Sequence, residues 1–227
     1  MPASKSRPVR IKSLLERGTS GLVVVQLMLA CNDLSTANQA LGDWKAAREA
    51  GDRSIRPGGG RYFVRIQAAH LYETFDLLDR LRKDADLKGF LDRCDEQTKR
   101  SFASLARYLH GGPEHGRLQR LIGILRSQVT FHYGEQSHKL LTQAMKFKSG
   151  RGVDGVSMIQ RGSDARQWHF QVAEDIVDSV VVRQLWGVPP DVDEQAAADQ
   201  AADEMHAIFL AFMDFAGEFI WHYCETL

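Results

Sequence analysis

Apolar side chains recur at three- and four-residue steps along most of this 227-residue chain, a period that only helices with one buried face satisfy. Between Tyr62 and Leu81, Phe63, Ile66, Leu77 and Leu81 fall on one line, with Val64, Ala68, Leu71, Phe75 and Leu78 beside it. Near the C-terminus Met205, Ile208, Phe209, Phe212, Phe215 and Phe219 repeat the pattern behind Asp191, Asp193 and Glu194, carboxylates that complement a helix N-terminus. An aromatic row of this kind is core or dimer interface far more often than a cofactor site. The expected fold is all-α, an up-and-down helical bundle forming one domain over residues 1–227.

Breaker residues divide the bundle. N-terminal helices are expected over 11–50, with a weak point at Gly18 to Gly21 and further breaks at Asn32-Asp33 or Gly42. Arg56-Pro57-Gly58-Gly59-Gly60 reads as a linker, since it lacks the Gly-Lys-Ser/Thr ending of a phosphate loop. A helix from Glu96 to His110 should stop at Gly111-Gly112-Pro113. The next, from Glu114, carries Leu118, Leu121, Ile122, Leu125 and Val129, with Glu135 to Lys148 continuing it or following it. A small irregular or hairpin insertion is expected around 150–162, where Val156 to Gln160 has strand character. C-terminal helices fill 164–227. The first is capped by Ser163 or Asp164 and ends before Gly187-Val188-Pro189-Pro190, with strand an alternative at Val180-Val181-Val182.

Composition narrows the function classes. Hydrophobic residues make up 44% of the chain, enough for a sizeable core. The early apolar run from Gly21 to Cys31 is too short to span a bilayer, and Met1 to Lys12 is basic and followed by Glu16, Arg17 and Gly18, not by a signal-peptide core. A cytoplasmic protein without membrane association is the expectation. Cys31, Cys94 and Cys224 are odd in number and far apart, so neither a disulfide framework nor a thiolate zinc site is indicated. The 29 basic and 29 acidic residues cancel, but their distribution is uneven. From Asp191 to Leu227 there are nine carboxylates and no Lys or Arg, so an RNA ligand would have to meet the middle of the chain.

The main chemical candidate lies there, in Leu125-Arg126-Ser127-Gln128-Val129-Thr130-Phe131-His132-Tyr133. A permanent cation and a titratable imidazole six positions apart suit phosphodiester chemistry. Six helical steps rotate by about 240°, so the two side chains share no face of one regular helix, and a second helix or subunit must complete any joint site. Helical spacing continues Leu118, Ile122, Leu125 and Val129 onto His132, while small Gly123 and Thr130 beside Arg126 would let another helix approach closely.

This string resembles the Arg-polar-x(3–5)-His signature of the HEPN superfamily, and an Arg65…His70-Leu71-Tyr72-Glu73 helix ahead of it resembles the helix order of that superfamily, over roughly 61–148. The resemblance implies a HEPN-like core, a homodimer, and a metal-independent endoribonuclease of a toxin or defence system, with RNA as substrate and an antitoxin or other protein partner. Arg126 and His132 from two subunits would meet in a cleft, His132 moving the proton of the ribose 2′-OH or of the leaving 5′-oxygen and Arg126 stabilising the phosphate. The products would be a 2′,3′-cyclic phosphate and a 5′-hydroxyl. Ser127 stands where the superfamily usually carries Asn or Asp.

Ser127, Tyr133, His70 and Glu73 are the candidate supporting or substrate-binding residues. His70 and Glu73, at i,i+3, are a buried polar pair behind the site, a helix-capping contact or a solvated helix edge. No metal or cofactor is expected: a second Glu-x-x-His element is lacking, and His110, His115, His138, His169, His206 and His222 show no ligand spacing. Two alternatives stay open, a non-catalytic HEPN-like scaffold for RNA or a partner protein, and a metal-binding helical-bundle enzyme with ligands gathered from several helices.

Overall fold

Most of the interior is enclosed by three long helices. The computed structural model describes residues 6–52, 59–123, 138–149, 157–161, 169–180, 188–189 and 191–227. Helix α1 (Ile11–Glu16) ends at Arg17, and α2 (Gly18–Glu49) starts from Gly18 with φ of 58°, a backbone state that favours glycine. The expected weak point is therefore real. The other two expected breaks do not occur: α2 runs unbroken through Asn32-Asp33 and Gly42. Its inner row Val23, Val24, Leu27, Leu34 and Ala37 is buried, and burial along one face outweighs the weak helix propensity of single Asn, Asp and Gly residues. Among the described residues α2 is also the one helix long and apolar enough to cross a membrane, although that inner row belongs to the protein core.

Helix α3 (Gly59–Lys83) lies along α2. It starts inside the stretch expected to be linker, because Gly59 and Gly60 sit under the indole of Trp44, where a Cβ at either position would collide with the ring. Ala68, Leu71, Phe75, Leu78 and Leu81 form its buried face. Helix α4 (Ala85–Leu91) was not legible in the periodicity; its seven residues are too few to show one. Asp84 caps it, accepting from the backbone N–H groups of Asp86 and Leu87 at 3.0 Å, and also accepts from buried Ser20 Oγ at 3.0 Å, which ties the start of α2 to the end of α3.

Helix α5 (Glu96–Ala106), capped by Asp95, is shorter than expected, for the chain leaves it at Arg107 and turns at Gly111 with φ of 82°. Helix α6 (His115–Leu118) passes directly into a π-helical turn, Gln119–Gly123. Next come α7 (His138–Ser149), β1 (Ile159–Gln160), β2 (His169–Phe170) and α8 (Gln171–Ser179). The strands pair antiparallel with Ile159 opposite Phe170. The expected hairpin thus has one strand at the end of its predicted range and the other where helix was expected; residues 162–168, including the proposed Ser163 or Asp164 cap, lie outside the described residues.

Helix α9 (Glu194–Glu225) closes the bundle; Asp193, one of the carboxylates expected at its start, caps it, accepting from Ala196 N at 2.8 Å. Phe212, Phe215 and Phe219 are fully buried. Phe215 meets Phe102 of α5 at 5.1 Å between ring centres, and Phe219 meets Phe90 of α4 edge-on at 5.3 Å. These spacings place the aromatic row in the core, as edge-to-face packing favours. Phe215→Ala should cost about 3–5 kcal/mol in chemical denaturation. Asp84→Ala, which removes a helix cap and strands a buried hydroxyl, should cost about 1–2 kcal/mol.

Candidate functional site

Arg126, Ser127, His132 and Tyr133 lie within 124–137, outside the described residues. The structure does show what holds the start of that tract. Leu118, Leu121 and Ile122 are buried, as their spacing required. The turn Gln119–Gly123 is held from α3 by Tyr72: its Oη is 3.1 Å from Gln119 Oε1 and accepts from Gln119 Nε2 at 2.8 Å. A Cβ at Gly123 would sit 2.8 Å from Tyr72 Cε2, so glycine is what lets the α3 ring lie against the turn. This is the close helix approach that the small residue at 123 predicts. Arg117, just upstream, is a bidentate partner of Glu204, with Nε to Oε1 at 2.7 Å and Nη2 to Oε2 at 2.7 Å, and thereby joins α6 to α9.

The π geometry alters the helical phase. Extending Leu118 and Ile122 to His132 assumes 3.6 residues per turn throughout, whereas Gln119–Gly123 is a π turn that bonds i to i+5. Such turns are frequent at functional sites.

His70 and Glu73 are not a buried pair. Glu73 is exposed, and the His70 side chain is half-buried at 40% exposure. His70 Nδ1 lies 3.9 Å from Asp33 Oδ2 on α2, an ion pair only when the imidazole is protonated. Tyr72, named in the sequence only as part of the preceding helix string, is the α3 residue that reaches the turn.

A second charged constellation joins the chain ends to α5. His222 Nε2 lies 3.1 Å from Asp95 Oδ2, and its Nδ1 3.3 Å from Glu225 Oε2. Ionised carboxylates only accept, so both ring nitrogens must donate and the ring is an imidazolium. Partial burial pulls its pKa down, but the bonds to Glu225 and Asp95 outweigh that and leave it above 6.5. Asp95 is lowered by accepting from Thr98 N and by His222, and Glu225 chiefly by His222. Arg7 completes the chain, bonding Glu225 at 2.8 Å and lying over the Trp221 ring.

No thiol is primed as a nucleophile: burial pushes Cys31 up to about 11 and raises Cys94 and Cys224. Among the described residues no group of three or more His, Cys, Asp and Glu side chains is arranged to hold a metal. No family model matches this chain, and neither a curated protein nor a solved structure matches it.

Because the folded pKa of His222 exceeds the unfolded value near 6.5, its stabilisation is complete below about pH 6.5 and is lost as pH rises through the folded value. Asp95 and Glu225 carry the opposite sign, contributing above their ordinary 3.8 and 4.5 and losing that contribution as pH falls through the lowered values. The His222 imidazole should therefore titrate above 6.5 by NMR, and Asp95→Asn should bring it down.

Proposed function

We propose that this protein is a HEPN-like, metal-independent endoribonuclease, acting as a cytoplasmic homodimer in a toxin or defence setting with an antitoxin or other protein as partner. The observation that carries the reading is the Arg126-Ser127…His132-Tyr133 tract in a chain whose long elements are all helical. The Tyr72–Gln119–Gly123 junction supports it, since it anchors the entry to that tract on the neighbouring long helix.

The chemistry rests on the two side chains. An imidazole with an ordinary pKa near 6.5 can accept the 2′-OH proton or protonate the leaving 5′-oxygen near neutral pH. A guanidinium offers a rigid fork of donors to the phosphate oxygens as negative charge builds on them. Two copies of the tract at a subunit interface would supply both groups to one cleft, which a single helix cannot do at this spacing. Ser127 and Tyr133 would hydrogen-bond the RNA or hold the catalytic pair in place.

One observation favours a second reading, a non-catalytic scaffold. Leu22, Val25 and Leu29 face outward from α2 at 57, 42 and 59% exposure, an apolar row at i, i+3 and i+7 available to a partner protein.

Incubating the protein with a mixed RNA pool in EDTA separates the two. The ribonuclease reading expects cleavage that falls by roughly a hundredfold or more in Arg126→Ala and His132→Ala. Cleavage equal in all three proteins, or none in any, would leave the scaffold.

A further inference from the structure

The turn between α5 and α6 brings together two histidines that the sequence separates. On a regular helix His110 and His115 would point about 140° apart. Here their rings are 5.3 Å between centres and inclined by 54°. Gly111, at φ 82°, turns the chain between them, and the turn is closed by Gly112 N–H to Leu109 O at 2.7 Å and Glu114 N–H to Arg107 O at 2.9 Å. The spacing is a property of an ordered turn.

Both residues are held. The N–H of His110 donates to Asp79 Oδ2 at 3.2 Å and its carbonyl accepts from Arg82 Nη2 at 2.6 Å, so α3 grips its backbone from both sides. Arg82 also pairs with Asp79 Oδ1 at 2.6 Å, although that oxygen receives no aligned hydrogen bond. His115 Nδ1 lies 3.1 Å from the Tyr108 carbonyl. A carbonyl only accepts, so Nδ1 carries the proton and a neutral His115 presents its Nε2 lone pair. A backbone carbonyl fixing the far nitrogen in this way is the usual support of a metal-bound imidazole. His110 is exposed, and its ring has no hydrogen-bond partner among the described residues.

We propose that His110 and His115 form a two-imidazole site for a divalent ion of the zinc, nickel or copper class. A metal–nitrogen bond of about 2.0–2.1 Å on each ring, with a near-tetrahedral angle between them, sets the ring centres about 5 Å apart, close to the spacing already present. Neutral imidazoles select these ions over magnesium or calcium, which prefer oxygen donors. Asp79 is committed to Arg82 and the His110 N–H, and Glu114 to Arg107 at 2.9 Å, so water would fill the remaining positions and the ion would exchange readily. The site uses none of residues 124–137 and does not depend on the ribonuclease reading.

Calorimetric titration of metal-stripped full-length protein with ZnCl2 at pH 7.5 tests this, alongside NMR spectra with substoichiometric Ni2+. The proposal expects saturable zinc binding weakened by at least roughly tenfold in both His110→Ala and His115→Ala, and unchanged in His206→Ala. It also expects nickel-induced broadening centred on residues 110 and 115 and no response to MgCl2. Zinc binding equally tight in His110→Ala or His115→Ala, broadening centred elsewhere, or no saturable binding would overturn it. Both substitutions flank the turn after α5, and unchanged circular dichroism verifies that the variants stay folded.

Discussion

Burial of the α9 aromatic row is the constraint on which the other elements depend. Phe212, Phe215 and Phe219 are fully buried, and Phe90 of α4 and Phe102 of α5 pack onto Phe219 and Phe215. Elements of 7 and 11 residues have little helical stability of their own. They persist because α9 supplies a surface and because Asp84 and Asp95 satisfy their first N–H groups. The Arg7–Glu225–His222–Asp95 chain then fixes the C-terminal end of α9 to the cap of α5.

Periodicity made the long elements legible and failed where too few residues were available to show it. Asp193 followed by Glu194 and a three- and four-step aromatic row marked α9 correctly, since capping and burial are both local signals. Continuity of α2 through Asn32-Asp33 and Gly42 was not readable, because it rests on Leu34 and Ala37 being buried in the core. The start of α3 was hidden for a similar reason: Gly59 and Gly60 look like linker until the Trp44 ring is seen against them. Helix α4 is a tertiary product, set by Asp84, Ser20 and the Phe90 contacts.

The site divides along the same line. Leu118, Leu121 and Ile122 were expected inside and are, and Gly123 does admit a close neighbour, the ring of Tyr72. The π turn could not be read from residue types, which lead to 3.6 residues per turn through Gln119–Gly123. His70 and Glu73 interrupt an apolar stripe without forming a buried pair: Glu73 is exposed, and His70 is half-buried 3.9 Å from Asp33 of α2. His110 and His115 looked unrelated at five residues apart, yet the intervening Gly-Gly-Pro was the available sign that the chain could fold back there.

The proposed chemistry places Arg126 and His132 about 120° apart on any regular helix, so a second helix or subunit must complete the site, and the proposed homodimer requires that two subunits share one cleft. Mixing separately purified Arg126→Ala and His132→Ala proteins, with subunit exchange allowed before RNA is added in EDTA, tests that requirement directly. The account predicts that cleavage reappears in the mixture, since a mixed dimer holds one intact Arg126 and one intact His132 in a common cleft. A mixture as inactive as either variant, at concentrations where exchange is verified, would contradict it.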